Sequence, residues 1–502
     1  MMTATRFLID TNIFILLEDT THPVPPAHAQ FCKKCSEKSI QLCLHPASRQ
    51  DISRDSDILR KISSLSKLDK YASLNDIPPV GQKELENLYG PIKNPNDLVD
   101  CTLLYAIDKA NAADFFITED IKLRKRARQA GCETKILSIT EALTWIDQNF
   151  GFHSVFIPQI REKECYMLPI IDNIYDSLEI DYPGFKNWLG KCRKEHRPCW
   201  VIEESDKIQA LVILKEEIIQ ESPIIIQKMC PTKILKVCTF KIGEDIRGKK
   251  IGELFIKKLL WFATANNYSI VYLTTYEKQQ ELLLLLTTFG FEIIGKTETG
   301  ENILCKQMNP TPGFSGSPLE FHISYYPHFQ DEMSIQKFIV PIQAPYALRL
   351  FPEKSTEKQP LLFADFHSAG NTIKKTYICH AKIQDLHPGD ILLFYVSKNK
   401  KLIQSQELIS IGIIEAAEQI NTFQTLMQRT FRRTVYTEEE LKKFLDKGKT
   451  PLVLSFSLAR HFKKSLNLPR LQSAGILKGP PQTIQRIQHG QYIKLLRLEE
   501  TI

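Results

Sequence analysis

The N-terminal part of the chain repeats a short apolar run followed by an amphipathic stretch, a pattern typical of alternating strands and helices. The first run, residues 6–9, ends on Asp10. Apolar runs in SIQLCLHP and DFFIT predict two more strands, and the second leads through Asp120 into a basic helix. This alternation predicts an α/β domain over residues 1–150 whose acidic residues follow its strands.

Further acidic residues lie in or near the first turns of two predicted helices. One helix is predicted to begin near Ala47 and the other after Asn96 as its N-cap. In an open parallel sheet, ligands bind beyond the carboxyl ends of the strands, where such side chains meet. Carboxylate oxygens are ligands that Mg²⁺ and Mn²⁺ prefer. The acidic side chains that this arrangement brings together are Asp10, Asp51, Asp97, Asp100 and Asp120.

The order of these elements resembles that of the PIN-domain nucleases, over residues 6 to about 147. The resemblance implies an α/β/α domain whose acidic cluster binds Mg²⁺ or Mn²⁺ and cleaves RNA. Asp51 stands where the family more often has Glu, which is one methylene longer. The implied catalytic residues are Asp10, Asp51, Asp100 and Asp120, with Asp97 as an alternative or additional metal ligand and Thr11 and Asn12 in support.

Residues 155–310 continue with strands, a glycine-containing turn and helices. PCWVIEESDKIQALVILKEEI predicts two strands joined by a turn, and TKILKVCTFKI predicts a third. Residues 247–252 form a turn that leads into an amphipathic helix, and the strand SIVYLTTY, a helix and a final strand follow. A strand, glycine turn and helix present backbone N–H groups and the positive end of a helix to an anion.

This segment resembles the Gcn5-related N-acetyltransferase (GNAT) fold, an α+β fold, over about residues 165–308. The family's loop Arg/Gln-x-x-Gly-x-Gly/Ala matches residues 247–252, and its later Gly-Phe pair matches Gly290 and Phe291. The resemblance implies acetyl-CoA as cofactor. The implied binding residues are Cys238, Thr239, Phe240, Lys241 and Ile242 along the pantetheine, and Arg247, Gly248, Lys249, Lys250, Ile251 and Gly252 at the pyrophosphate.

Two residues depart from the GNAT pattern. Lys250 replaces a glycine of the loop, although its cation can itself contact phosphate. Leu286 lies four residues before Gly290, where many members have a tyrosine that protonates the leaving thiolate. Tyr276 and Thr287 are nearby in sequence as other donors. An active acetyltransferase and a domain that binds acyl-CoA without turnover both stay open.

Residues 335–502 follow a Pro-, Gly- and Ser-containing linker, residues 311–334, and their short strands and turns predict a small closed β-barrel. Gly389-Asp390 with LLFYV, and Gly412 with IIEA, resemble the ASCH and related PUA-like barrels, which bind RNA or modified bases. Basic and aromatic residues interleave here, a mixture that suits phosphate contact and base stacking. The candidate RNA-binding residues are Lys398, Lys400, Lys401, Arg429, Arg432 and Arg433. Phe394 and Tyr395 favour the barrel core over an exposed stacking surface.

Charge is unevenly distributed along the 502 residues. Residues 335–502 contain 25 Lys and Arg against 14 Asp and Glu, a net charge of +11, so the remainder, 40 against 44, carries −4. A basic segment of this kind attracts polyanions such as RNA. The sequence shows no secretory signal and no apolar run of about 20 residues, which predicts a cytoplasmic protein that does not engage a membrane.

Twelve cysteines are too sparse for a disulfide scaffold in a chain of this length. Cys32 and Cys35, followed by Cys43 and His45, are candidate zinc ligands, since four such side chains can coordinate zinc tetrahedrally. No second Cys-x-x-Cys follows, so free thiols are favoured and zinc binding stays open.

The sequence therefore predicts an α/β multidomain protein with three domains in series and three functional hypotheses. The first is an Mg²⁺- or Mn²⁺-dependent ribonuclease with an acyl-CoA-binding domain and an RNA-binding barrel, in the manner of a toxin with an antitoxin-like protein inhibitor. The second is an N-acetyltransferase that acts on RNA, aminoacyl-RNA or a protein amine. The third is a non-catalytic RNA-binding regulator. The oligomeric state is not predicted.

Overall fold

The computed structural model describes residues 5–18, 24–38, 40–54, 58–74, 77–150, 159–204, 207–243, 246, 250–354, 368–383, 385–399, 405–430 and 433–500. The chain is an α/β protein with several sheets and divides into two compact units. Unit 1 comprises residues 1–153, 422–432 and 437–443, and unit 2 comprises the remainder. Among the described helices, none is both long and apolar enough to cross a membrane.

Unit 1 contains a five-stranded parallel sheet in the order β3-β2-β1-β4-β5. Alternating side chains of β1 enter cores on the two faces, with Phe7 and Ile9 on one face and Leu8 on the other. A parallel sheet is normally covered on both faces, as here. The strands are β1 Arg6–Ile9, β2 Gln41–Leu44, β3 Ala72–Ser73, β4 Phe115–Ile117 and β5 Ile136–Leu137.

Eight described helices accompany these strands within residues 11–150, and two of them differ from the sequence-based expectation. The segment that begins at Ala47 is a short helix that ends before Arg54, and a second helix follows. Asn94, and not Asn96, caps the central helix, because its side chain accepts the N–H of Asp97 at 2.9 Å. The helices are α1 Thr11–Glu18, α2 Pro26–Glu37, α3 Ala47–Ser53, α4 Ile58–Lys67, α5 Gln82–Tyr89, α6 Pro95–Asp108, α7 Ile121–Gln129 and α8 Ile139–Phe150.

Unit 2 contains a seven-stranded sheet in the order β11-β12-β10-β9-β8-β7-β6. Only β9 and β10 run parallel, and every other neighbouring pair is antiparallel. The strands are β6 Arg161–Glu164, β7 Pro198–Glu204, β8 Lys207–Glu217, β9 Ile234–Ile242, β10 Ile270–Thr275, β11 Glu292–Lys296 and β12 Asn302–Gln307. The helices are α9 Asn173–Asp181, α10 Phe185–Lys194, α11 Ile224–Gln227, α12 Ile251–Ala265 and α13 Gln280–Thr288.

A second sheet of unit 2 has six strands in the order β14-β17-β16-β15-β13-β18. No ladder between the described strands joins β14 to β18, so the closure of the predicted barrel stays a prediction. Alternating apolar strands do not specify closure, which depends on strand tilt and stagger. The strands are β13 Lys337–Ile342, β14 Lys374–Cys379, β15 Ile391–Val396, β16 Glu407–Gln419, β17 Leu452–Asn467 and β18 Gln485–Ile487. The accompanying helices are α14 Pro318–Tyr325, α15 Ala344–Leu350, α16 Phe423–Thr430, α17 Glu438–Phe444, α18 Leu468–Ser473 and α19 His489–Glu500.

Buried polar contacts join the two sheets of unit 2 across α12. Oε1 of Glu253, in the first turn of α12, accepts the backbone N–H groups of Ile373 at 2.8 Å and Lys374 at 3.0 Å. The hydroxyl of Tyr326 donates to the carbonyl of Leu458 at 2.9 Å. Buried hydrogen bonds of this kind are costly to leave unmade, so they fix the two sheets against each other.

Helix α16 belongs to unit 1, although it lies between two strands of unit 2 in sequence. Its Met427 is 4% exposed and packs in the same core as Phe7 and Trp145. Nε2 of Gln428 donates to the carbonyl of Asp114 at 2.9 Å. Unit 1 is therefore completed by a segment from far along the chain, which periodicity within residues 1–150 does not reveal.

Candidate functional sites

The carboxyl ends of β1 and β4 hold the first candidate site, in unit 1. These strands are neighbours at the centre of the sheet, where the strand order reverses, which is where open α/β sheets bind ligands. Asp10 follows β1 and is 4% exposed, and its Oδ2 accepts the hydroxyl of Thr118 at 2.6 Å. The same hydroxyl oxygen accepts the N–H of Asp120 at 2.9 Å. Thr118 thus holds the two acidic residues at one sheet edge.

The acidic side chains influence one another electrostatically. Burial raises the pKa of Asp10 to about 6. The hydrogen bond from Thr118 lowers this pKa, whereas the negative charges of Asp120 and Asp51 raise it further. Burial, together with the charges of Asp10 and Asp120, raises the pKa of Asp100 to about 7. Carboxyl groups with pKa values near neutrality are typical of sites that exchange protons or bind cations. The structure therefore brings four predicted residues, Asp10, Asp51, Asp100 and Asp120, into one electrostatic cluster.

Asp51 and Asp97 have partners that reduce their availability for a ligand. Asp51 pairs with Arg54 at 2.8 Å, and Asp97 pairs with Arg126 at 3.1 Å. Asp97 also accepts the N–H of Lys93 at 2.9 Å, so it stabilises the start of α6. Of the supporting residues, Asn12 is exposed, whereas the hydroxyl of Thr11 is buried without a hydrogen-bond partner.

The acidic cluster has the donor atoms of a metal site but not the arrangement of one. Hard carboxylate oxygens that repel one another suit Mg²⁺ or Mn²⁺ chemically. In the described part of the chain, however, no group of three or more His, Cys, Asp and Glu side chains is arranged to hold a metal ion. The cluster thus has suitable donors that are not assembled around a common point.

The zinc hypothesis is not supported for the described residues. Cys35 packs in the core on one face of the unit 1 sheet, whereas Cys43 packs in the core on the other. Nδ1 of His45 accepts the N–H of Ala47 at 3.0 Å, and burial lowers the pKa of His45 to about 4. None of the twelve cysteines forms a disulfide bond.

A pocket between β9 and β10 forms the second candidate site, in unit 2. The parallel ladder pairs only three residues of each strand and ends at Lys236 and Tyr272, although both strands continue. On the other side of β9, Ile213 and Leu214 of β8 pair with Thr239 and Val237, which leaves Cys238 as a β-bulge. Bulges are frequent next to active sites because they release backbone groups from the ladder.

The separated strands enclose a cavity of about 440 Å³. This volume lies in the range of small-molecule sites, roughly 300–1,000 Å³. Its lining includes the aromatic side chains Tyr182, Phe185 and Trp188 and residues of β9 and β10. At the end where the ladder stops, buried Glu217 accepts the Tyr272 hydroxyl and the Lys236 ammonium, the latter at 3.3 Å. Cys238 lies beside Arg197, whose Nη1 donates to Sγ at 3.6 Å.

The predicted cofactor-binding residues lie in several different places. Cys238, Thr239 and Phe240 line the cavity, whereas Lys241 pairs with an aspartate outside it and Ile242 packs in the core. Lys250 immediately precedes α12 and has a φ of 59°, a left-handed conformation that costs a non-glycine residue about 1–2 kcal/mol. Ile251 and Gly252 begin α12. Arg247, Gly248 and Lys249 lie outside the described residues.

The candidate proton donors differ in whether their side chains reach the cavity. Leu286 is fully buried, and the hydroxyl of Thr287 donates within its own helix to the carbonyl of Leu283 at 2.9 Å. Tyr182, which the sequence interpretation overlooked, lines the cavity with its hydroxyl 3.5 Å from that of Thr275. Burial raises the pKa of Tyr182, so it keeps its proton at neutral pH. The sequence Tyr-Pro-Gly at residues 182–184 predicts a turn, but it does not indicate that the tyrosine lines a cavity.

The predicted RNA-binding residues are divided between the two units. Arg429 is exposed on α16 in unit 1, and Lys398 is exposed after β15 in unit 2. Arg433, also in unit 2, lies 4.0 Å from Glu253. Lys400, Lys401 and Arg432 lie outside the described residues. RNA binding by this set stays a prediction.

The aromatic residues near that set belong to the core of unit 2. Phe394 and Tyr395 are fully buried in the second sheet, which confirms the favoured interpretation. Tyr436 is buried and packs against Tyr346 with the ring centroids 4.5 Å apart. These three rings therefore do not form an exposed surface for base stacking.

The two units thus define an α/β protein with an acidic cluster at a sheet edge and a pocket between separated parallel strands. No protein-family model and no curated protein matches the chain. Similar solved structures include ASCH from Zymomonas mobilis, at 14% identity and a TM-score of 0.25, over 32% of this chain and 94% of that chain.

Two acetyltransferase structures are similar at the same level. The aminoglycoside 6'-acetyltransferase type Ii has 14% identity and a TM-score of 0.24, over 31% of this chain and 99% of its own. The PaiA N-acetyltransferase from Thermoplasma acidophilum, in complex with coenzyme A, has 13% identity and a TM-score of 0.24, over 30% and 99%. Similarities at these TM-scores do not establish a fold family or an activity. The PIN-, GNAT- and PUA-like assignments stay predictions.

Proposed function

We propose that unit 2 is an N-acyltransferase that takes its acyl group from acetyl-CoA. The observation that supports this function is the separation of β9 and β10 beyond Tyr272, beside the bulge at Cys238. Backbone N–H and C=O groups outside a ladder require other partners, and an extended pantetheine amide chain offers them. The 440 Å³ cavity at the same place accommodates an acyl group and a small acceptor.

The residues at the cavity and at α12 fit this cofactor. Cys238, Thr239 and Phe240 would lie along the pantetheine, and the N-terminal N–H groups of α12, next to Lys250, would meet its phosphates. The predicted loop residues 247–249 would add to this contact. Acetyl-CoA supplies an acyl group activated as a thioester. The strained conformation of Lys250 is typical of positions that serve a ligand.

Side chains of the cavity provide groups for proton transfer. The Tyr182 hydroxyl keeps its proton near neutral pH and is the candidate proton donor to a leaving thiolate. Leu286 has no proton to donate. Glu217 accepts hydrogen bonds from Tyr272 and Lys236 at the end of the cavity where the ladder stops, and these contacts fix all three side chains.

Two substitutions at Cys238 test acetyl-CoA binding. Cys238→Phe fills the space between the strands and is expected to weaken binding by at least about tenfold. Cys238→Ser, of nearly the same size, is the matched control and is expected to bind like wild type, because the thiol itself is not required. Isothermal titration calorimetry with acetyl-CoA measures both. Absence of binding to the wild-type chain contradicts the proposed function, as does unchanged binding by a folded Cys238→Phe variant.

A second candidate function, hydrolysis of RNA by unit 1, is favoured by the raised pKa values of Asp10 and Asp100. Among the described residues Asp10, Asp100 and Asp120 are not arranged to hold a metal ion, so their side chains would have to move together to bind one. A divalent cation bound there would relieve their repulsion and supply an activated water. Thr118 holds the Asp10 carboxylate and the backbone N–H of Asp120, whose own side chain accepts the N–H of Leu123 at 3.0 Å and caps α7. RNA is the proposed substrate because residues 335–502 carry a net charge of +11.

Asp100→Asn tests this second function. In the presence of Mn²⁺ or Mg²⁺, the full-length chain is expected to cleave a labelled single-stranded RNA, and Asp100→Asn is expected to reduce the rate by at least about a hundredfold. Asp147→Asn, an exposed aspartate on α8 in the same unit, is the control and keeps the wild-type rate. Cleavage by Asp100→Asn at the wild-type rate assigns the activity to a contaminant or another site.

A further inference from the structure

The unit 2 cavity has two polar ends along one face of β10. Tyr272 and Thr274 point to the same face, because side chains alternate along a strand. Tyr272 meets Glu217 at the closed end, and Oγ1 of Thr274 donates to Oε1 of Glu301 at 3.3 Å. Two residues of a strand span about 7 Å, so a small ligand reaches from one end to the other.

The carboxylate of Glu301 differs from the other charges of the cavity because its described partners are hydroxyl groups. Thr274 and Thr299 each donate to it at 3.3 Å. Within the part of the chain that the structure describes, no Lys or Arg forms an ion pair with Glu301. Among the described residues that line the cavity, Glu301 is therefore the carboxylate without a neighbouring cation to balance its charge.

The cations of the cavity are each balanced by a carboxylate. Balanced cations attract an anionic ligand less strongly, since an added anion competes with a carboxylate already in place. The pairs are Arg197 with Glu195 at 2.7 Å, Lys215 with Glu221, and Lys236 with Glu217 at 3.3 Å.

Three aromatic side chains line the same cavity as Glu301, and the ring of one of them, Trp188, lies 5.6 Å from the guanidinium of Arg197. Tyr182, Phe185 and Trp188 line the cavity from α10 and the loop before it, and the rings of Phe185 and Trp188 are 5.5 Å apart. Tyr182 is close enough to Glu301 for its charge to contribute to the raised pKa of the tyrosine. Aromatic faces next to a carboxylate form a site that selects organic cations, because ring faces are electron-rich.

We infer that this cavity binds a small cationic amine whose ammonium group pairs with Glu301 and whose carbon skeleton lies against Tyr182, Phe185 and Trp188. The inference rests on the proposed function, in which this amine is the acyl acceptor, and it makes Glu301 the residue that selects the acceptor. A small amine fits a cavity of 440 Å³, whereas a protein or RNA acceptor would have to insert a single side chain or nucleotide.

Two probes of the same size and opposite charge test the inference. Phenethylammonium is expected to bind the full-length chain without cofactor, as measured by calorimetry, and phenylacetate is expected to bind at least about tenfold more weakly. Glu301→Gln keeps the shape of the side chain and is expected to weaken phenethylammonium binding about tenfold. Glu298→Gln, an exposed glutamate of the same loop, is the matched control and is expected to change nothing.

Equal or tighter binding of phenylacetate overturns the inference, as does a folded Glu301→Gln variant with wild-type affinity for phenethylammonium. Acetyl-CoA titration of the same proteins separates the two proposals. If acetyl-CoA fails to bind while phenethylammonium binding depends on Glu301, the acyltransferase proposal fails and the amine site stands. If acetyl-CoA binds but phenethylammonium does not, only the amine site fails.

Discussion

Replacement of Asp10 by Asn is expected to raise the free energy of unfolding of unit 1 at pH 8 by on the order of 3 kcal/mol. Asp10 is 4% exposed, and its pKa is raised from 3.8 to about 6, so at pH 8 the folded unit holds a carboxylate that burial disfavours. Asn is nearly isosteric, and its carbonyl can still accept the Thr118 hydroxyl. A gain in stability together with a loss of metal-dependent cleavage would identify Asp10 as a residue retained for function.

The sign of the pH dependence follows from the raised pKa of Asp10. Well below pH 3.8 the carboxyl group is protonated in both states and costs nothing. Between about pH 4 and about pH 6 the unfolded state is ionised while the folded state keeps its proton, so the folded state loses stability that the Asn variant keeps. The difference between the two proteins is therefore expected to be small near pH 4 and full at pH 8. Urea titration followed by hydrogen exchange of β1 and β4 peptides measures it. The control Asp147→Asn, whose side chain is 54% exposed, is expected to show no such difference, and a destabilised Asp10→Asn unit at pH 8 contradicts the argument.

Replacement of Gly290 by Ala is expected to destabilise unit 2 by about 2–4 kcal/mol. Gly290 has a φ of 79°, and an added Cβ would contact the carbonyl oxygen of Ile323 and lie 2.7 Å from Nζ of Lys306. That ammonium donates to the carbonyl of Ser324 at 2.7 Å and is 1% exposed, so it has little room to move. Urea unfolding followed by hydrogen exchange of the β11 and β12 peptides measures the loss.

Gly300→Ala separates the two causes of this destabilisation. Gly300 has a φ of 84° with no atom within 4 Å of an added Cβ, so its substitution carries only the backbone cost of about 1 kcal/mol. A Gly290→Ala variant that loses no more stability than Gly300→Ala would show that Ile323 and Lys306 move aside easily.

Local patterns in the sequence predicted the elements that carry the acidic cluster. The apolar run before Asp10 is a strand at the centre of its sheet, and Asp120 follows the neighbouring strand, because short apolar runs that close on polar residues specify buried parallel strands. Thr437 caps α17, since Glu440 donates its N–H to the hydroxyl at 3.3 Å. The cap of α6 is Asn94 because Pro95 favours the first helical position, a competing signal that outweighs Asn96.

The walls of the second site could not be predicted in the same way. The resemblance located Cys238 and the turn before α12, but α9 and α10, which bring Tyr182 and Trp188 to the cavity, were not foreseen. The strand β12, which follows Glu301, was also missed. A cavity is formed by residues far apart in sequence, and periodicity within one segment does not report on such contacts.

Helix α16 has a consequence for how the protein is made. The core around Phe7 and Trp145 lacks Met427 until the ribosome has added residues 154–421 and then α16 itself. At about 5–20 residues per second, that interval lasts on the order of tens of seconds. During this time the nascent unit 1 exposes the apolar surface that Met427 later covers.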